Sequence, residues 1–130
     1  MKWAVLAVRV LVGLSFTVIS GSYFLMPPRE PSGLPENAVK FIGSMVATNY
    51  FDVVKVLELL GGLLLLSGRL TPLGLVILVP VTVNIALWDI FMLKLSAPPG
   101  GLILLALEAF VMWGYWPYFA PFFQPTAKHV

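Results

Sequence analysis

Val56-Leu57-Glu58-Leu59-Leu60-Gly61-Gly62-Leu63-Leu64-Leu65-Leu66-Ser67-Gly68-Arg69-Leu70-Thr71-Pro72-Leu73 is the stretch that decides how this chain folds. It is an apolar run with one carboxylate inside it, closed by Gly68-Arg69 and restarted by Thr71-Pro72. A glycine stop followed by a proline start marks the end of one helix and the beginning of the next. Lipid accepts the leucines and penalises an ionised glutamate, so the run reads as a membrane helix that turns Glu58 toward other protein.

Working outward, three more segments have the same character. Hydrophobic residues make up 59 % of the 130 residues and charged residues 11 %, and the mean hydropathy is +0.95. Those values place the chain among integral membrane proteins before any motif is considered. Crossing ~30 Å of hydrocarbon takes roughly 20 helical residues. The expected spans are 3–26, stopped by Pro27 and Pro28; 50–68; 72–93; and 101–119, after Pro98-Pro99-Gly100. All are helices, because a lone lipid-facing strand leaves its backbone unsatisfied. Arg9 interrupts the first run and no small-residue cleavage site follows, so that segment reads as a retained span.

The fold expected is therefore all-α, an integral membrane four-helix bundle occupying residues 1–130 as a single transmembrane domain. The long first loop opens with Pro27, Pro28, Pro31 and Pro35, then shows Val39, Ile42, Met45 and Val46 at helical spacing. It predicts a short helix from about Pro35 to Ala47 lying at the interface or capping the bundle mouth. Lys2, Arg69 and Lys128, with Arg9 just within the span, fall on one face, and Arg29, Lys40 and Lys94, in company with Glu30 and Glu36, on the other, a small bias that favours both termini in the cytoplasm. The net charge of +2 gives no sign of nucleic-acid binding.

The absences narrow the chemistry. The chain has no cysteine, which removes disulfides, thiol catalysis and cysteine-ligated clusters. Its single histidine, His129, lies next to the C-terminal residue, where a solvated tail is the ordinary reading. No phosphate loop, nucleophile elbow or metal motif is present, so no catalytic residue or metal ligand is expected.

What remains is polar residues inside the spans. By helical rise Arg9 lies roughly 9 Å from the N-terminal face, Asn84 roughly 18 Å, and Glu58 and Glu108 roughly 12 Å from the opposite face. Asn84, Glu58 and Glu108 then share one layer, with Lys55 a turn beyond Glu58 beside Asp52. Arg9, Gly13, Phe16 and Ser20 fall on one side of their helix; so do Asp52, Lys55, Glu58 and Gly62, and Gly101, Leu104, Glu108 and Tyr115. Glu58 has Lys55, and Arg9 within conceivable reach, as cations; Glu108 has none and is the candidate to hold a proton. Arg9, Lys55, Glu58, Asn84 and Glu108 are thus candidates for binding a proton or a quinone-like amphiphile. The competing reading is that they are helix-to-helix hydrogen bonds. Asp89 faces away from Asn84 and reads as a headgroup-level residue or a contact to another subunit. Trp113, Trp116 and Phe122, within an aromatic C-terminal stretch, read as further partner contacts or as an interfacial belt.

Arg9, Gly13, Phe16 and Gly21, followed by the glutamate, paired glycines, apolar run and Gly-x-x-Thr-Pro of residues 58–72, resemble the DoxX family of small four-helix prokaryotic membrane proteins. The resemblance extends over nearly the whole chain. Family members commonly carry a lysine shortly after the glycine that ends helix one, and Gly21-Ser22-Tyr23-Phe24 lacks it. The resemblance implies location in a prokaryotic cytoplasmic membrane and association with quinone-linked redox complexes. Together with the missing haem and thiol ligands it suggests a non-catalytic accessory subunit, in contact with membrane lipid and hetero-subunits, holding no cofactor by its own side chains beyond a bound quinone or lipid. A ligand- or proton-binding bundle is the alternative.

Overall fold

The computed structural model describes residues 1–26 and 33–126 and is all-helical there. The expectations placed on Pro27, Pro28, Arg29, Pro31, Lys128 and His129 lie outside the described residues. Six α-helices follow one another: α1 (Lys2–Leu25), α2 (Glu36–Ala47), α3 (Tyr50–Ser67), α4 (Thr71–Leu87), α5 (Gly100–Gly114) and α6 (Trp116–Phe119). A π-helical turn, Trp88–Met92, prolongs α4, and a 3₁₀ turn, Ala120–Phe123, follows α6.

Two helical stretches, Lys2–Leu25 and Thr71–Met92, are long and apolar enough to cross a membrane. A third is present if α5 and the Trp116–Phe123 segment form one span broken by a 90° bend. That bend corrects the expected straight span 101–119. Pro117 has no N–H and its ring collides with the carbonyl four residues back, so the helix ends at Gly114 and restarts with Pro117 in its first turn. α3 matches the expected position, but Asp52, Lys55 and Glu58 within its 18 residues keep it below the same apolar standard.

α1 packs against α3 and α5, and α4 packs against α3 and α5, so within this group of four each helix has two neighbours. Val12 and Phe16 from α1, Leu65 from α3, Leu75 and Leu78 from α4, Val111 from α5 and Phe119 from α6 meet in the core. Leu11, Leu14, Val18, Leu60, Leu63 and Val76 point outward and are exposed, as faces turned to lipid require. α1 and α3 approach closely at Gly13, where a Cβ would fall 2.7 Å from Leu66 N and 2.9 Å from Gly62 O. Only a residue without a side chain allows those backbones to touch.

α2 occupies the predicted position and packs on α3. Its inward side is Ala38, Ile42 and Met45, with Phe41 5.7 Å from the Trp88 ring; Val39 and Val46 are exposed. The Glu36–Lys40 pair at 2.7 Å lies on its outer surface, where an ion pair stabilises little.

Candidate functional site

The contact at Gly13 sets the register of α1 against α3. From it, each turn along α1 meets one turn back along α3: Gly13 with Gly62 and Leu66, Phe16 and Thr17 with Gly62, Ser20 with Glu58, Tyr23 with Asp52. A serine hydroxyl is short, and it reaches across only because the glycines have drawn the helices together. Ser20 Oγ donates to Glu58 Oε2 at 2.9 Å, and Lys55 Nζ donates to the same oxygen at 3.0 Å. One turn farther along, Tyr23 donates to Asp52 Oδ1 at 2.6 Å, and Lys55 Nζ stands 5.0 Å from the Phe51 ring centroid. Ser20 and Glu58 are buried and the Lys55 side chain is 12 % exposed. Two hydrogen bonds, Ser20–Glu58 and Tyr23–Asp52, therefore tie α1 to α3, and a lysine on its own helix shares the glutamate oxygen.

A second pair joins α4 to α5. Thr82 Oγ1 lies 2.7 Å from Glu108 Oε1 and 3.0 Å from Leu78 O, and both Thr82 and Glu108 are fully buried. One hydroxyl proton cannot serve both acceptors; a proton on the carboxyl, donated to Oγ1, leaves the hydroxyl free for the Leu78 carbonyl. Glu108 Oε2 has no hydrogen-bond partner among the described residues.

Asn84, expected in this layer, is not there. It is exposed, and its Nδ2 donates to Pro80 O of its own helix at 3.3 Å. The inward stripe of α4 and its π turn is Gly74, Leu78, Thr82, Ala86 and Asp89, at intervals of four, four, four and three. Asn84 lies off that stripe. The sequence signal was present in the small residues at helical spacing, and Thr82 was overlooked because threonine passes for an apolar residue in such a run.

Asp89 is corrected in the opposite sense. It is buried, not turned to headgroups or to a partner, and Oδ2 accepts the Gly101 N–H at 2.7 Å. The first N–H groups of α5 have no partner within their own helix, and a carboxylate there also suits the positive end of the helix dipole. Gly101 permits the approach: a Cβ on it would fall 2.6 Å from Ala86 N. Asp89 thus serves as the N-terminal cap of α5 from the neighbouring helix.

Arg9 does not join the carboxylates. Its Nη1 donates to Tyr115 OH at 3.0 Å, and its guanidinium reaches the Gly68 turn, where a Cβ would lie 3.0 Å from either terminal nitrogen. Of the five ligand candidates, the structure brings together Lys55 and Glu58, holds Glu108 apart on Thr82, and sends Arg9 and Asn84 elsewhere. Trp113, Trp116 and Phe122 are exposed. Among the described residues no group of three or more Asp, Glu, His or Cys is placed to hold a metal ion.

No family model, no curated protein and no solved structure matches the chain.

Proposed function

We propose that this chain is a DoxX-like four-helix bundle of a prokaryotic cytoplasmic membrane, with both termini cytoplasmic, α2 at the interface, and the role of a non-catalytic accessory subunit in a larger redox complex. The observation that carries the non-catalytic reading is how the interior polar groups are used. Ser20 of α1 and Lys55 both bond Glu58 of α3, Thr82 of α4 bonds Glu108 of α5, and Asp89 caps α5, so these side chains pair within and between helices instead of converging on one open pocket. The C-terminal segment supports a docking role, since it leaves α5 at 90° and exposes Trp116, Tyr118, Phe122 and Phe123 beside Trp113. Aromatic residues are favoured at the centres of protein interfaces. The redox association rests on the resemblance alone.

Purification in mild detergent with mass spectrometry of the co-purifying proteins tests this reading. Cofactor-bearing membrane subunits are expected, and they should be lost when Trp116, Phe122 and Phe123 are replaced by alanine while insertion is intact. Unchanged co-purification would remove the docking surface; recovery of the chain alone would remove the accessory role. A second reading, a proton- or amphiphile-binding bundle, is favoured by the buried, unpartnered Oε2 of Glu108. Stoichiometric quinone in a solvent extract of the purified protein would favour it.

A further inference from the structure

Where α1 begins and α3 turns into α4, donors gather without a carboxylate among the described residues. Arg9 is anchored about 10 Å along α1, and its long side chain carries the guanidinium to the Gly68 turn, at the end of the molecule. Among the described residues Arg9 Nε is buried without a hydrogen-bond partner and no carboxylate lies within ion-pair distance of the guanidinium; the ion pairs among those residues, Lys40–Glu36 and Lys55–Glu58, lie elsewhere. The Tyr115 hydroxyl accepts from Arg9, which leaves its own proton to donate. Beside this pair runs a groove of about 480 Å³ between α1 and α5, lined by Lys2, Val5, Leu6, Arg9, Trp113 and Tyr115 among others, with no acidic residue among the described residues of its wall.

We infer that this groove seats the headgroup phosphate of an anionic phospholipid, independently of any accessory role. The guanidinium charge is met here by one neutral hydroxyl, and a phosphate oxygen in the groove gives its terminal N–H groups a charge-assisted partner that the groove wall does not supply. Lys2 supplies a second positive charge at the rim, and the Tyr115 hydroxyl supplies a neutral donor. Val5, Leu6 and Trp113 offer an apolar wall to the upper part of an acyl chain, at the depth where tryptophan and basic residues meet headgroups. The two cations set against no acid make the preference one for net negative lipid over zwitterionic lipid.

The test uses the full chain, purified in mild detergent and stripped of lipid, titrated with phosphatidylglycerol or phosphatidylcholine and read by native mass spectrometry. One phosphatidylglycerol should bind in preference to phosphatidylcholine. Arg9→Gln should weaken that binding about tenfold, the loss of one charge-assisted bond. Lys2→Gln, at an exposed position where folding is not at stake, should weaken it in the same direction, and Arg69→Gln, exposed on the neighbouring turn but outside the groove, should leave it unchanged. Equal binding of the two lipids would overturn the inference, as would an Arg69→Gln effect as large as that of Lys2→Gln, which would mean diffuse surface charge. Displacement of the lipid by millimolar inorganic phosphate would overturn the lipid assignment in favour of a free-phosphate site.

Discussion

Thr82→Val removes one hydroxyl and keeps the shape of the side chain, so it isolates the bond between α4 and α5. Glu108 would then keep its burial and lose the 2.7 Å contact at Oε1, with Oε2 already unpartnered, so that the whole carboxyl is stranded in the interior. Interhelical hydrogen bonds in membrane proteins stabilise by about 0.6 kcal/mol on average and up to about 1.7. A buried polar group left without a partner adds about 1–3 kcal/mol to that. The loss expected for Thr82→Val is therefore about 2 kcal/mol, toward the lower part of the combined range because the valine remains well packed. Thr82→Val with Glu108→Leu removes both partners, and should recover most of the loss because nothing polar is left unpaired. Unfolding in dodecylmaltoside micelles titrated with dodecyl sulfate, followed by the fluorescence of the four tryptophans, measures both variants. A double variant less stable than Thr82→Val would refute the argument that this pair serves packing, and would shift weight to a role for the carboxyl itself.

Gly13→Ala forces a Cβ against Leu66 N and Gly62 O, backbone atoms that cannot step aside, and should destabilise by about 1–3 kcal/mol while weakening the Ser20–Glu58 bond. The same unfolding titration reads the first effect, and the carboxyl infrared band of Glu58 in a Glu58-labelled sample reads the second. Asp89→Ala uncaps α5 and should cost about 1 kcal/mol with faster amide exchange at Gly101. Asn84→Leu, on an exposed face with only a bond to its own helix, should leave stability within roughly 0.5 kcal/mol; a large loss would restore Asn84 to the interior.

The helix ends were legible where a residue type has one backbone consequence. Gly68 terminates α3 at φ 73°, and Pro72 starts α4, both as the sequence reads. The stripe Asp52, Lys55, Glu58 was legible because three charged residues in an apolar helix have one economical arrangement, all on the side away from lipid. Glu108 was placed inward by the same reasoning. Depth, however, is not azimuth: Asn84 and Thr82 differ by two residues and nearly half a turn, and ranking by polarity chose the wrong one. Asp89 was misread because the open N-terminus of α5, which needs an acceptor, is a tertiary fact; nothing near Gly101 in sequence announces where its cap comes from. The bend after Gly114 had its signal in Pro117, which counted for less than the hydrophobicity of the whole stretch. Arg9 found Tyr115 and the Gly68 turn because a long flexible side chain samples several neighbours, and spacing alone does not choose among them.

The claim that four helices cross the membrane in alternating directions is tested most directly on the chain's own cysteine-free background. Single cysteines at Lys2→Cys, Thr48→Cys, Arg69→Cys and Ser96→Cys, expressed in cells, are challenged from outside with a membrane-impermeant maleimide. Thr48→Cys and Ser96→Cys should react in intact cells, and Lys2→Cys and Arg69→Cys only after the membrane is opened. Lys2→Cys and Ser96→Cys reacting from the same side would contradict the four-crossing account.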